Sequence, residues 1–219
     1  NGKVTNFRGD IKNLFAIQNQ KTCYLYLRNR IVKKEKLSVD LIKEIHHELV
    51  KGTYDERRFK RGERPGEFKK HDYVTGKNEV GSYPNEVEGD IRELVTEINE
   101  IEINEDNCFM VAAYFHARFE NIHPFADGNG RVGRTLLNYL NMINNIPPVI
   151  IYDEDKKYYY ECLEKYDTDD DISSLEEFFE YEMEKTWQRE LLEIKKNTSH
   201  KKLSDTMENT VDRLKTEEK

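Results

Sequence analysis

Within a dozen positions the chain places a histidine, an aspartate, two glycines around an asparagine, and two arginines: His123-Pro124-Phe125-Ala126-Asp127-Gly128-Asn129-Gly130-Arg131-Val132-Gly133-Arg134. A histidine of ordinary pKa, about 6.5, is neutral much of the time at pH 7 and can take a proton from an attacking hydroxyl. Asp127 is a candidate magnesium ligand, because that ion binds through one or two carboxylates and the oxygens of a phosphate substrate. Gly128, Asn129 and Gly130 can bring side-chain and main-chain donors close to a phosphate whose charge grows during attack. Arg131 and Arg134, three apart, project from neighbouring positions on one side of a helix and can both meet an extended polyphosphate. The loop itself contains no Ser, Cys or Lys to act as a covalent nucleophile. These residue types fit base-assisted attack of a hydroxyl on a nucleoside triphosphate.

Such a loop needs a helix on either side. Upstream, Phe109, Ala112, Ala113, Phe115, Ala117 and Phe119 mix small and aromatic residues, the pattern of a helix from about Glu105 to Asn121 buried on several sides at the centre of an all-helical core. His116 within it reads as a packing residue. Downstream, Val132, Leu136, Leu137, Leu140 and Ile143 give an amphipathic helix from Arg131 to about Asn144, stopped by Pro147-Pro148. The loop therefore feeds a helix N-terminus, whose unpaired N–H groups and partial positive charge favour an anion.

The other elements surround this pair. Mixed three-to-four spacing of Ile11, Leu14, Phe15, Ile17, Tyr24, Leu25 and Leu27 predicts a helix from about Asp10 to Val32. Ser38 caps a second, with the stripe Leu41, Ile42, Ile45, Leu49 and Val50 and with Gly52 at its end. His46 and His47 lie about 100° apart in helical projection, so they cannot share a metal and read as packing or surface residues. Between Gly52 and Asn85 no helical period is visible; Tyr73-Val74-Thr75 and Glu79 to Tyr83, around Gly76-Lys77-Asn78, read as a hairpin. Such a hairpin is either a plain surface feature or an exposed edge that holds an extended peptide by main-chain pairing.

Further helices are expected from Val87 to Ile101, after Asp153 through Leu163, and after Ser174 through Ile194. The acidic run Asp167 to Asp171 lacks the ligand alternation, central glycine and terminal glutamate of a calcium loop, and reads as a solvated loop and cap. Leu203, Met207, Val211 and Leu214 give a narrow helical stripe over Ser199 to Lys219.

The 219 residues carry 43 acidic and 35 basic side chains, a net charge of −8 that argues against nucleic-acid binding. Cys23, Cys108 and Cys162 lack CxxC spacing and read as reduced packing residues. No apolar run approaches the length of a membrane span, and a cytoplasmic location is expected.

The run HPFADGNGRVGR resembles the HxFx(D/E)GNGRxxR signature of Fic-domain proteins at every specified position. The resemblance extends to Ile45-His46 and Gly52, to Gly66-Glu67-Phe68 before the hairpin, and to Pro84 before the next helix; Lys69 stands where many relatives carry Arg. It implies an all-α helical bundle with a small β-hairpin flap that aligns a target protein's hydroxyl-bearing segment, with Tyr73, Val74 and Thr75 as the docking strand. It also implies magnesium-dependent transfer of AMP from ATP to a Ser, Thr or Tyr hydroxyl of a target, itself included. His123 would be the general base, Asp127 the magnesium ligand, Gly128, Asn129 and Gly130 the anion nest, Arg131 a phosphate contact and Arg134 the γ-phosphate clamp, with Phe125 in the core.

Fic proteins are often inhibited by a helix with (S/T)xxxE(G/N), and Ser204-Asp205-Thr206-Met207-Glu208-Asn209 fits that pattern. Ser204 and Glu208 share one helix face, with Asn209 beside them. The resemblance thus implies residues 1–198 as a Fic domain, including a flap at about 72–84, and 199–219 as an inhibitory helix packed on it, which a homo-oligomer would tune. Other outcomes the same resemblance allows are phosphorylation, as in the Doc branch whose motif departs from GNGR, AMP removal aided by Glu208, or nucleotide binding without turnover.

Overall fold

The computed structural model describes residues 11–54, 56–73 and 81–194. In chain order these form α1 (Ile11–Val32), α2 (Val39–Val50), α3 (Glu56–Lys60), α4 (Val87–Glu100), α5 (Cys108–Ile122) and α6 (Asn129–Ile143). A 3₁₀ turn (Asp153–Asp155) then leads into α7 (Lys156–Asp169), and α8 covers residues 173–194. There is no strand among the described residues, so the all-α class expected from the periodicity holds. The hairpin's centre, with Val74 and Thr75, and the segment bearing Ser204, Glu208 and Asn209 lie outside the described residues.

Helices α5 and α6 pair at the centre and face two cores. On one side Phe115, Phe119, Leu136 and Leu140 pack with Leu27 of α1, Ile42, Ile45 and Leu49 of α2, and Ile91 and Leu94 of α4. On the other, Ala113, Ala117 and Leu137 pack with Tyr159 and Cys162 of α7 and Leu175, Phe178 and Phe179 of α8. The mixture of alanines and aromatics in α5 has this cause: small residues let α7 and α8 approach, while the rings fill the opposite core. The loop joining α5 to α6 is thereby braced from both sides.

Several boundaries have a local cause. Ser38 accepts the Leu41 amide at 3.1 Å and caps α2 as its type predicts. Helix α6 begins at Asn129 rather than Arg131, because Gly128 adopts φ +86° and turns the chain directly into the helix. Ser174 does not cap α8: Asp171 accepts the Ser173 amide at 2.9 Å, and Ser174 Oγ instead accepts from Lys165. Helix α3 escapes a periodicity reading because five residues hold too few turns to show one. After Pro148 the chain runs extended against α6, where Asn138 accepts from Val149 N at 2.8 Å and donates to Val149 O at 3.0 Å. Cys23, Cys108 and Cys162 are buried free thiols.

Gly133 of α6 packs against α5 with no room for a side chain. A Cβ there would lie 2.4 Å from Glu120 Oε1 and 3.1 Å from both the His116 ring and the Phe119 ring. Alanine favours a helix over glycine by about 1 kcal/mol, but overpacking a core costs about 1–3 kcal/mol. Gly133→Ala is expected to be net destabilising, seen as a lower urea midpoint at an unchanged slope.

Candidate active site

His123 ends α5 in a left-handed conformation, φ +50°, its own amide still bonded to Phe119 O. Pro124 accounts for the end of the helix here, since a residue before proline is pushed out of the right-handed helical region. Burial, aided by the Lys69 ammonium, depresses the imidazole pKa to about 4, while a ring hydrogen bond to the Glu120 main chain and the Asp127 charge act the other way. At neutral pH the ring is therefore an uncharged proton acceptor.

The loop after it is latched internally. Asn129, 2% exposed, accepts from Phe125 N at 2.8 Å and donates to Phe125 O at 2.7 Å. Phe125 is buried in the core and stacks on His46, centroids 3.8 Å apart and planes within 9°. His46 accepts from Gly66 N through Nδ1 at 2.8 Å, so Nε2 carries the hydrogen and donates to Asp127 O at 3.0 Å. Burial depresses this imidazole too, to about 4. The packing role expected of His46 is present, but so is a second: it fixes the carbonyl of the aspartate in the loop. His47 is exposed.

Helical side chains lean toward the N-terminus, so the two arginines reach back over the start of α6. An added Cβ on Gly128 would lie 3.3 Å from Arg131 Nη2, and one on Gly130 would lie 3.1 Å from Arg134 Nη1. The guanidiniums thus flank the glycines that a phosphate would approach. Arg131 leans toward α2, donating to Leu49 O at 3.2 Å, whereas Arg134 leans toward Tyr159 and Glu120. An open cleft of about 330 Å³ lies on the Arg131 side, lined by Lys12, Asn13, Ala16, Thr53, Asp127 and Arg131.

Asp127 stands at the mouth with its side chain 35% exposed, paired with Arg58 at 2.8 Å and near Arg131 at 3.9 Å. No cluster of three metal-binding side chains exists among the described residues. One half-exposed carboxylate beside two cations fits a magnesium ion held mainly by phosphate oxygens, and does not fit a site built wholly from protein.

Both arms of the 74–80 segment are tied to the turn at His123. Lys69 N donates to Pro124 O at 2.9 Å on one side, and Ser82 N donates to Ile122 O at 3.0 Å on the other. Gly81 makes the second tie possible, because a Cβ there would sit 2.6 Å from Ile122 O and 2.8 Å from His123 Cβ. The first arm is anchored by the buried Glu63, which accepts from Tyr73 Oη at 2.8 Å, His71 Nδ1 at 2.9 Å and Lys70 N at 3.1 Å. Burial pushes Glu63 up, but these hydrogen bonds outweigh it and hold the carboxyl below its usual range. Tyr73 is thus an anchor, with Arg58 and Arg61 also over its ring.

The sequence reading did not single out Arg58, Glu63 or Glu120 as members of the site. Arg58 acts on a partner brought from another segment, and Glu63 gathers side chains of its own irregular segment, which shows no periodicity. His46 was visible only as a packing or surface residue of α2.

Residues 36–140 match the family model described as "Fic/DOC family". Among curated proteins, the protein adenylyltransferase Fic of Drosophila persimilis is 30% identical over 138 residues, covering 63% of this chain and 26% of that protein. The protein of the same name from Drosophila erecta is 32% identical with the same coverage. The chain therefore matches about a quarter of the length of these relatives, 26%. Among solved structures, Fic-1 from C. elegans has a TM-score of 0.72 at 25% identity, over 90% of this chain and 56% of that one. A Fic domain containing signaling protein from Bacteroides thetaiotaomicron has a TM-score of 0.67 at 22% identity, over 81% and 70%, a likeness of fold alone. No helix among the described residues is long and apolar enough to cross a membrane. The matched segment holds the whole loop, both arms, helices α2 to α5 and most of α6, and over residues 36–140 the chain is similar to a Fic domain.

Proposed function

We propose that this chain is an autoinhibited protein adenylyltransferase, transferring AMP from ATP to a Ser, Thr or Tyr hydroxyl of a target protein, with itself as one acceptor. The observation that carries the reading is the uncharged His123 at the start of the loop into α6, between two arms hydrogen-bonded to the carbonyls on either side of it. The relatives named protein adenylyltransferase support the same chemistry.

The triphosphate lies along the first turn of α6. Main-chain N–H groups at Gly128, Asn129 and Gly130 cradle the α-phosphate, since the Asn129 side chain is committed to Phe125. Arg131 and Arg134 hold the outer phosphates from either flank. The target segment docks on the 72–84 flap, aligned by main-chain pairing. Its hydroxyl oxygen then bonds to the α-phosphorus as the bond to the pyrophosphate oxygen breaks. His123 accepts the hydroxyl proton, and pyrophosphate leaves with the two arginines as counter-ions. Asp127 would hold magnesium, which supplies charge neutralisation to the phosphates. The hydroxyl needs no covalent enzyme intermediate, consistent with the absence of a nucleophile in the loop. Residues 199–219 act as the control element: Glu208, with Ser204 and Asn209 on its helix, pairs with Arg134 and keeps ATP from its productive placement. The protein works in the cytoplasm.

The test is incorporation of label from ATP labelled at the α-phosphate. Glu208→Gly is expected to raise incorporation about tenfold or more, as inhibitory couplings of 1–3 kcal/mol correspond to about 5–150-fold. Equal incorporation by the unsubstituted protein, Glu208→Gly and His123→Ala overturns the reading, and label arriving only from the γ-phosphate replaces it with phosphorylation.

A further inference from the structure

Helix α3 buries none of its five residues, so its polar contacts, rather than packing, hold it to the domain. One of them reaches the loop. Arg58 pairs through Nη1 with Oδ2 of Asp127 at 2.8 Å, the two side chains each about one-third exposed. Arg131 stands 3.9 Å from the same oxygen, so both ion pairs fall on Oδ2 and neither uses Oδ1. The main chain of Asp127 is held separately, its carbonyl accepting from His46 of α2 at 3.0 Å. Two segments outside the loop therefore fix this one residue, α2 at its backbone and α3 at its carboxylate.

Arg58 is itself anchored. Its carbonyl accepts from Arg61 N and Glu63 N, both at 3.1 Å, where the helix ends. Gly62, at φ +86°, lets the chain turn sharply enough for both amides to meet one carbonyl. The buried Glu63 carboxylate then accepts from Tyr73 Oη, His71 Nδ1 and Lys70 N of the first arm. The Arg58 guanidinium also lies 6.0 Å from the centroid of the Tyr73 ring. A continuous set of contacts thus runs from the arm through Glu63 and Arg58 to the Asp127 carboxylate. An ion pair this exposed adds little to stability, so its consequence lies in what it orients.

We propose that Arg58 is a positioning residue for a divalent cation: by holding Oδ2 of Asp127 it fixes the direction of the carboxylate and leaves Oδ1 as the oxygen that meets the metal. The inference rests on the reading of Asp127 as the metal ligand and of a nucleotide as substrate. Magnesium demands near-ideal octahedral geometry, so an ion with a single protein carboxylate depends on where that carboxylate points. Groups that hold a ligating residue contribute about 10–100-fold to metal affinity. The guanidinium repels a cation, but the two act on different oxygens, and Arg58 keeps Oδ2 when the metal binds. One nitrogen makes the contact, so a positive charge at this point, rather than a planar fork, is what the carboxylate requires.

The experiment is calorimetric titration of the full chain with ADP, once with Mg²⁺ and once in EDTA. The unsubstituted protein is compared with Arg58→Gln, Arg58→Lys, Asp127→Asn and the double variant Arg58→Gln/Asp127→Asn. ADP is the probe because it lacks the terminal phosphate that the proposed Glu208–Arg134 contact excludes. Arg58→Gln is expected to weaken Mg·ADP about tenfold or more beyond its effect on ADP in EDTA. Arg58→Lys should recover most of that loss, and in the Asp127→Asn background Arg58→Gln should add none. A merely structural role weakens both forms of ADP alike, and a direct phosphate contact weakens the metal-free form at least as much; either result overturns the inference. Tighter Mg·ADP binding by Arg58→Gln also overturns it, because the guanidinium would then compete with the metal. A loss of Mg·ADP affinity in Asp127→Asn with none in Arg58→Gln overturns the inference alone. An unchanged Mg·ADP affinity in Asp127→Asn overturns the reading of Asp127 as metal ligand, and the inference with it. Absence of ADP binding by the unsubstituted protein overturns the nucleotide reading and the inference together. Because α3 buries no residue, the Arg58 variants are expected to fold, with melting temperatures close to that of the unsubstituted protein.

Discussion

His123→Ala is expected to lower AMP transfer by at least about 100-fold, with ATP binding retained. A positioned general base contributes about 10²–10⁴-fold, and the phosphate-facing groups stay in place when only the imidazole is removed. Label from α-labelled ATP, counted on protein over time, measures the loss, and calorimetry measures the binding. The same residue sets a pH dependence. Its folded pKa is depressed to about 4, so protonation, which removes the base, is postponed to acid well below the ordinary histidine value. The acid limb of kcat/KM should therefore fall near pH 4 rather than about 6.5. A limb at the ordinary value would show that His123 is not held in this environment, or is not the base. Asn in place of His, which tolerates the left-handed conformation better than Ala, should give the same loss and so separates chemistry from strain.

Asn129→Ala is expected to cost about 2–4 kcal/mol of stability and to abolish tight ATP binding. The side chain closes the loop by satisfying both the amide and the carbonyl of Phe125, each buried, and an unmet buried polar group costs about 1–3 kcal/mol. Freed of this latch, Phe125 loses its register on His46, and His46 in turn loses the Asp127 carbonyl. The disturbance therefore reaches the anion nest from inside, without removing a phosphate ligand. Asn129→Asp separates the parts: it can still accept from Phe125 N but cannot donate to Phe125 O, and it brings a negative charge to the helix start. Part of the stability should return while ATP affinity stays low. Thermal unfolding and calorimetry of the three proteins check both statements, and a stable Asn129→Ala protein with full ATP affinity would rule the latch out.

What was legible beforehand was local. The α5 and α6 patterns, the cap at Ser38, the stop at Pro147 and the loop between His123 and Arg134 all follow from neighbouring residues, because periodicity, capping and proline sterics act within a turn or two. His123 and Arg131 could be picked out as candidates for the same reason, their types and spacing being properties of one segment. The role of Asn129 was only half readable. Its type suggested a donor to a phosphate, but its side chain turns inward to Phe125, a choice made by burial of the loop.

The sequence by itself determined the helical class, the order of the longer helices and the place of the candidate loop between α5 and α6, since those depend on short-range geometry. Only the tertiary structure decided the environment of that loop: which carbonyl His46 holds, that Arg58 faces Asp127, and that Lys69 and Ser82 bracket His123. Each of these joins residues from separate segments, and each depends on desolvation, which exists only once the helices have packed. A pKa or a hydrogen-bond partner is a property of a place in the folded protein, and a lone position in the chain has neither.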